Sequence, residues 1–351
     1  MPSLIRFLAC CAGLFGLAAS VPSRKCRGGV RHSKPSLGIS HSNPSNNTSR
    51  ANASNSIAVY WGQNSYGQGS GPNVQQNLAY YCENANIDVI PLAFMNGITP
   101  PIVNFANAGD KCSSFNGSTL LRCPEIEADI IKCQAKHKKT IVLSLGGATY
   151  TQGGWATTAE AEKAADMVWA MFGPVSGDYQ VDRPFGKAVV DGFDFDFEAY
   201  TNNLPAFGAR LRSLMDGAGS KKYVLTAAPQ CVFPDAAVGT TLDAVPFDYI
   251  FIQFYNNWCG VSNFQPGAPT QQAFNFDVWD AWSKRSKNPS VKLLLGIPAN
   301  VGAGGGYVRG PKLAAIIKYC SDFSSFGGVM MWDVSQLYAN PGFLEEIVAS
   351  L

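Results

Sequence analysis

The sequence predicts an α/β protein built on a single (β/α)8 barrel, a TIM barrel, and three observations carry that expectation. Eight short apolar runs, each too short for a helix and rich in Val, Ile, Phe and Tyr, follow one another from residue 57 onward. Longer amphipathic stretches separate several of them, Ala159–Phe172 and Leu204–Asp216 being the clearest. Residues 56–351, which carry the runs, are enough for this fold, whose usual size is about 250 residues. A doubly wound open sheet would share the alternation, but no GxGxxG or GxxxxGK turn follows the first run.

The elements read in order as follows. Arg6 supplies a positive start, Phe7 to Leu17 form an apolar run too short to span a bilayer, and Ala18-Ala19-Ser20 offers small residues for cleavage. Residues 1–20 are therefore expected to be a signal peptide, and the protein to be secreted, free in the medium or associated with a cell wall. Residues 21–55 are basic and rich in Ser and Asn, without apolar periodicity, and read as a disordered linker. Asn46, Asn47 and Asn52 stand in glycosylation acceptor triplets there, as does Asn116 further on. The eight runs are Ile57–Trp61, Asp88–Phe94, Thr140–Leu145, Val189–Phe197, Tyr223–Ala227, Phe247–Phe254, Lys292–Ile297 and Gly327–Trp332. No stretch after the leader is long and apolar enough for a membrane span. Gly302–Gly306, after the seventh run, reads as a flexible loop without a phosphate-binding lysine.

Composition narrows the partners. Charged residues are only 15% of the 351, low against the usual quarter or so, while glycine (35) and aromatics (12%) are plentiful. That balance suits a neutral, stackable partner. The net charge of +2 averages two unlike parts: residues 1–55 hold seven basic residues and no acid, and the remainder carries a net −5. Nucleic acid is disfavoured as a partner of the main body. Ten cysteines, two of them in the leader, point to an oxidising compartment. No CxxC pair occurs, and His137 is the one histidine beyond the N-terminal tail, so a zinc site or a Ser-His-Asp triad is hard to build. Neither a metal nor a cofactor is expected.

The fourth run holds the chemistry. Side chains alternate along a strand, so Asp194, Asp196 and Glu198 share one face and Phe193, Phe195 and Phe197 the other. A solvated polar face would explain this without chemistry, but a central barrel strand has no solvent face. Three like charges in an interior cost several kcal/mol unless protons are shared, so at least one pKa should rise. Glu198, last in the row and nearest the C-terminal rim where barrel active sites lie, is the natural proton donor. Asp194 and Asp196 would share a proton below it.

Asp191-x-x-Asp194-x-Asp196-x-Glu198 resembles the DxxDxDxE signature of family 18 glycoside hydrolases, and Ser144-Leu145-Gly146-Gly147 their SxGG motif. Ala58–Asn64, Leu225–Cys231, Gln253–Asn257 and Gly327–Trp332 are similar to the class III (hevamine-like, plant and fungal) chitinases, and the resemblance spans about residues 56–351. It implies retaining hydrolysis of β-1,4-linked N-acetylglucosamine without a protein nucleophile, the substrate's acetamido oxygen attacking in its place. Glu198 would be acid and base, Asp196 would hold the acetamido N–H with Asp194 as its partner, and Tyr255 would bond the acetamido oxygen. Trp332 would be the floor under the reacting sugar. Tyr60, Gln63, Gln253, Asn256 and Gly147 are candidate sugar contacts, and Ser144, Gly146 and Gly147 would shape the rim and let the backbone approach the substrate. The same resemblance implies disulfides Cys82–Cys133, Cys112–Cys123 and Cys231–Cys259, leaving Cys26 and Cys320 unassigned.

The partner implied is chitin or N-acetylglucosamine oligosaccharides, bound by a monomer. The span between the seventh and eighth runs is too short for the α+β insertion that walls the cleft of deep-tunnel relatives, so an open cleft and internal cutting are expected. Two alternatives stand beside this: a silent lectin or xylanase inhibitor on the same barrel, whose members commonly lose the acid, and an endo-β-N-acetylglucosaminidase or lysozyme-type activity.

Overall fold

The computed structural model describes residues 55–175, 177 and 181–351. The expected signal peptide, Cys26 and almost all of the linker with its acceptor triplets lie outside the described residues.

Eight parallel strands close into a ring: β1 (Ser56–Val59), β2 (Val89–Met95), β3 (Thr140–Gly146), β4 (Gly192–Asp196), β5 (Val224–Ala227), β6 (Tyr249–Gln253), β7 (Lys292–Pro298) and β8 (Phe326–Trp332). Each pairs with its neighbours in sequence, and β8 returns to β1 with Ser56 opposite Gly328 and Val59 opposite Met331. All eight apolar runs are strands. The fourth is shorter than its run, because Val190 packs in the core ahead of the ladder while Glu198 lies beyond its end.

The helices are α1 (Leu78–Cys82), α2 (Pro124–Ala135), α3 (Thr158–Phe172), α4 (Leu204–Gly217), α5 (Gly239–Ala244), α6 (Phe276–Ser283), α7 (Gly310–Ser321), α8 (Val334–Tyr338) and α9 (Phe343–Ser350). The start of α3 is set by a reciprocal cap: Glu160 N–H donates to the Thr157 hydroxyl at 3.2 Å and the Glu160 carboxylate accepts from Thr157 N–H at 3.1 Å. Residues 299–325, between β7 and β8, hold α7 and no strand, so the barrel has no added wall domain.

Strand alternation divides the apolar side chains into two sets. Phe193, Phe195 and Phe197 point outward into the layer between strands and helices, where Phe195 meets Phe207 of α4 with ring centroids 5.7 Å apart. Ala58, Val142, Phe251, Leu294 and Met330 fill the interior. The interior is packed, with the buried polar side chains Ser144, Asp194 and Thr226 set among these apolar groups.

All three expected disulfides form. Cys82–Cys133 joins α1 to α2, Cys112–Cys123 closes a loop containing a two-stranded hairpin, and Cys231–Cys259 ties the loop after β5 to the loop after β6. Cys320 is a buried free thiol on α7. Among the described residues no helix is long and apolar enough to cross a membrane.

Candidate active site

The acidic residues of the fourth run separate by depth. Asp191 lies at the far, N-terminal end of β4, where its carboxylate accepts from Ile141 N–H and Gln134 Nε2, both at 2.8 Å, and pairs with Lys221. It staples the starts of β3, β4 and β5 and takes no part in the cleft.

Asp194 is fully buried in the barrel interior. Its Oδ2 accepts from the Tyr60 hydroxyl at 2.7 Å and the Ser144 hydroxyl at 2.6 Å, and its Oδ1 from the Thr226 hydroxyl at 2.6 Å. The register explains two of these partners. Ser144 of β3 and Thr226 of β5 stand directly beside Asp194 in the ladder, and in-register side chains of parallel strands share a face. Burial raises the Asp194 pKa, and the three hydroxyl donors act against that rise. Among the described residues the hydrogen-bond donors to Asp194 are these three hydroxyls. Ser144 does not shape the rim but sits wholly inside the barrel as one of the donors.

One step higher, Asp196 is 4% exposed and accepts from Gln253 Nε2 at 3.0 Å. Its pKa is pushed well up, by burial first and then by the charges of Glu198, Asp194 and Asp235, while the Gln253 amide pulls the other way. Glu198, past the end of β4, is exposed at the mouth, and partial desolvation there raises its pKa.

Glu198 and Asp196 share a cleft of about 280 Å³ with Tyr255, Trp332, Gln63, Gln253 and Asn256. Tyr255, 7% exposed, has its pKa driven well up by burial and by the carboxylates, so its hydroxyl keeps its proton and can donate. Trp332 is half-buried and stacks on Phe94 with centroids 5.8 Å apart and planes at 19°. Gln63 spends its Nε2 on the carbonyls of Ala93 at 2.9 Å and Asn104 at 3.1 Å, leaving its Oε1 for a ligand. Asn256 adopts a left-handed backbone (φ 59°) and receives Gly305 N–H on its Oδ1 at 2.6 Å. The glycine loop read as flexible is thereby pinned to the cleft wall.

Two predicted contacts lie elsewhere. Tyr60 is 2% exposed inside the barrel, its hydroxyl turned down to Asp194. Gly147 is not on the cleft wall, and its lack of a side chain serves packing: at φ 75°, a Cβ would come within 2.9 Å of the Phe94 ring. Its N–H also donates to the Asp196 carbonyl at 2.7 Å, which fixes the end of β4. Sequence reasoning missed Thr226, Phe94 and Gln230. Thr226 stood inside one of the resembling segments, but its role depends on register, which no single strand reveals.

A closed ring of parallel strands, with stacked carboxylates and an aromatic floor at its C-terminal mouth, defines a barrel glycosidase. Residues 56–304 match the family model described as glycosyl hydrolases family 18. The chain is 61% identical over 297 residues to Endochitinase 33 of Trichoderma harzianum, covering 84% of this chain and 91% of that protein. It is 46% identical over 303 residues to a class III chitinase of Arthroderma benhamiae, with the same two coverages. Among solved structures, the ICChI chitinase from Ipomoea carnea superimposes with a TM-score of 0.66 at 26% identity, over 84% of this chain and all of that one. The chain belongs to family 18 of the glycosyl hydrolases.

Proposed function

We propose that the protein is a secreted endochitinase that cleaves β-1,4-linked N-acetylglucosamine polymers with retention, using the substrate's acetamido group as nucleophile. The observation that carries this reading is the placement of the cleft's acids. The two carboxylates on its wall, Asp196 and Glu198, lie two residues apart at the end of β4, and no other Asp or Glu lines it among the described residues. A glycosidase with a protein nucleophile needs a carboxylate on each side of the bond. The single run of acids supports an attacking oxygen supplied by the sugar.

Glu198 protonates the glycosidic oxygen as the acetamido oxygen attacks the anomeric carbon, forming an oxazolinium ion and releasing the leaving alcohol. Asp196 accepts the acetamido N–H, Tyr255 donates to the acetamido oxygen, and Trp332 stacks beneath the sugar's apolar face. Glu198, now ionised, takes a proton from the water that opens the ring. The presence of Glu198, Asp196 and Tyr255 in one cleft supports this reading over a silent barrel. Three disulfides and the sequence of residues 1–20 support secretion.

The endo mode rests on the missing wall between β7 and β8. Viscosity of a soluble chitin derivative should fall well before reducing ends accumulate. Early release of mainly disaccharide with chain length unchanged would contradict an open cleft.

The pH profile follows from Glu198. As an acid it must carry its proton in the free enzyme, and a raised pKa keeps that proton to higher pH. Activity measured as kcat/KM should therefore hold through the ordinary glutamate range and fall only above it, as Glu198 ionises. A fall centred at or below the ordinary glutamate value would contradict the assignment.

A further inference from the structure

The loops after β5 and β6 meet at the cleft through a chain of side-chain amides. Asn257 Nδ2 donates to the Tyr255 carbonyl at 3.4 Å and to Gln230 Oε1. Gln230 Nε2 donates to Gln253 Oε1 at 3.5 Å. Gln253 Nε2 donates to the Ala228 carbonyl at 2.8 Å and to Asp196 Oδ1 at 3.0 Å. The direction is set at both ends, because a backbone carbonyl only accepts. Turning Gln230 over would put donor against donor at Asn257 and acceptor against acceptor at Gln253.

The backbone beneath this chain is anchored as well. Gln230 N–H donates to Asp235 at 2.9 Å, Cys231 N–H to the Gln253 carbonyl at 3.2 Å, and the Cys231–Cys259 disulfide ties the two loops. Gln230 also reaches the cleft wall beside Asp196.

We propose that Gln230 is a positioning residue for Asp196: backed by Asn257, it holds the Gln253 amide in the orientation that donates to Oδ1, leaving Oδ2 as the oxygen open to the acetamido N–H. The inference rests on the catalytic reading of Asp196 given above. The titratable groups that face Asp196 are Asp194 and Glu198 from its own strand run, Asp235 from the β5 loop, Tyr60 after β1 and Tyr255 after β6. The acids among them favour protonation of Asp196, and the Gln253 donor opposes it. The Gln253 donor occupies Oδ1 and so decides which oxygen is free to receive the acetamido N–H as the oxazolinium ion forms, so the amide chain acts on turnover more than on binding.

Two variants test this by kinetics on N-acetylglucosamine oligomers. Gln230→Leu breaks the chain and should lower kcat about tenfold with KM changed less than about twofold. Gln230→Glu keeps the shape, and its protonated carboxyl can donate to Gln253 Oε1 whereas its ionised form cannot. The ratio of its kcat/KM to that of the unaltered protein should therefore be near one at low pH and fall about tenfold as the introduced carboxyl ionises. If Gln230→Leu does not fold, the near-isosteric Gln230→Glu variant carries the test alone. A ratio flat in pH, or a raised KM at unchanged kcat for Gln230→Leu, overturns the proposal. Glu198→Gln measured in parallel separates the two readings. If it is inactive while the Gln230→Glu ratio is flat, only the role of Gln230 is lost; if it is active, the catalytic reading fails first.

Discussion

Glu198→Gln should lower chitin hydrolysis by at least about 10²-fold while the barrel and its sugar binding stay intact, the scale expected on removing a general acid. The site makes this a clean substitution. Glu198 is exposed beyond the end of β4, and none of the hydrogen bonds among the described residues depends on it. Gln has the same shape and no proton to give, so thermal unfolding should be unchanged. Oligosaccharide binding, followed by fluorescence of the tryptophans with Trp332 in the cleft, should persist. Turnover near that of the unaltered protein in a folded variant would remove Glu198 from its role.

A second large effect concerns the substrate. With Asp196 and Glu198 the sole carboxylates lining the cleft among the described residues, a sugar lacking the 2-acetamido group brings no nucleophile, and β-1,4-glucose oligomers should not be cleaved at a measurable rate. A thiazoline, which copies the ring of the oxazolinium ion but resists opening, should inhibit, since it places a cationic ring between Asp196 and Tyr255. Freshly formed reducing ends should keep the β configuration, because two successive displacements at one carbon restore it. Comparable cleavage of glucose oligomers, or inverted ends, would remove the acetamido group as nucleophile.

Much of this architecture is legible in the residues. The strands announce themselves because each is buried on both sides and so reads as an unbroken apolar run. The carboxylate row is legible because period-two alternation places Asp194, Asp196 and Glu198 on one face whatever surrounds them. The disulfides follow from resemblance alone, since eight cysteines cannot be paired from spacing. What stays hidden depends on neighbours. Ser144 and Thr226 become donors to Asp194 only through the register of three strands. Tyr60 points inward because the ring of strands closes at β1 and β8. Phe94 reaches the cleft where β2 slips its register against β3 between Ala93 and Met95, and Gln230 reaches it from a loop whose course no periodicity describes.

The bonding of Asp194 makes the site a witness to how complete the protein is. Its three hydroxyls come from β3, β5 and the segment just after β1, while Trp332 ends β8, the last strand in the sequence. Parts supplied by the first strand and the last must both be seated before the acid, its supports and the floor stand together. A chain halted part-way through closure, or cut so that β1 and Tyr60 are lost, holds Glu198 over an Asp194 short of one hydroxyl and an open seam. Turnover in a preparation therefore counts molecules whose ring has shut, and it does so more stringently than any measure of helix content.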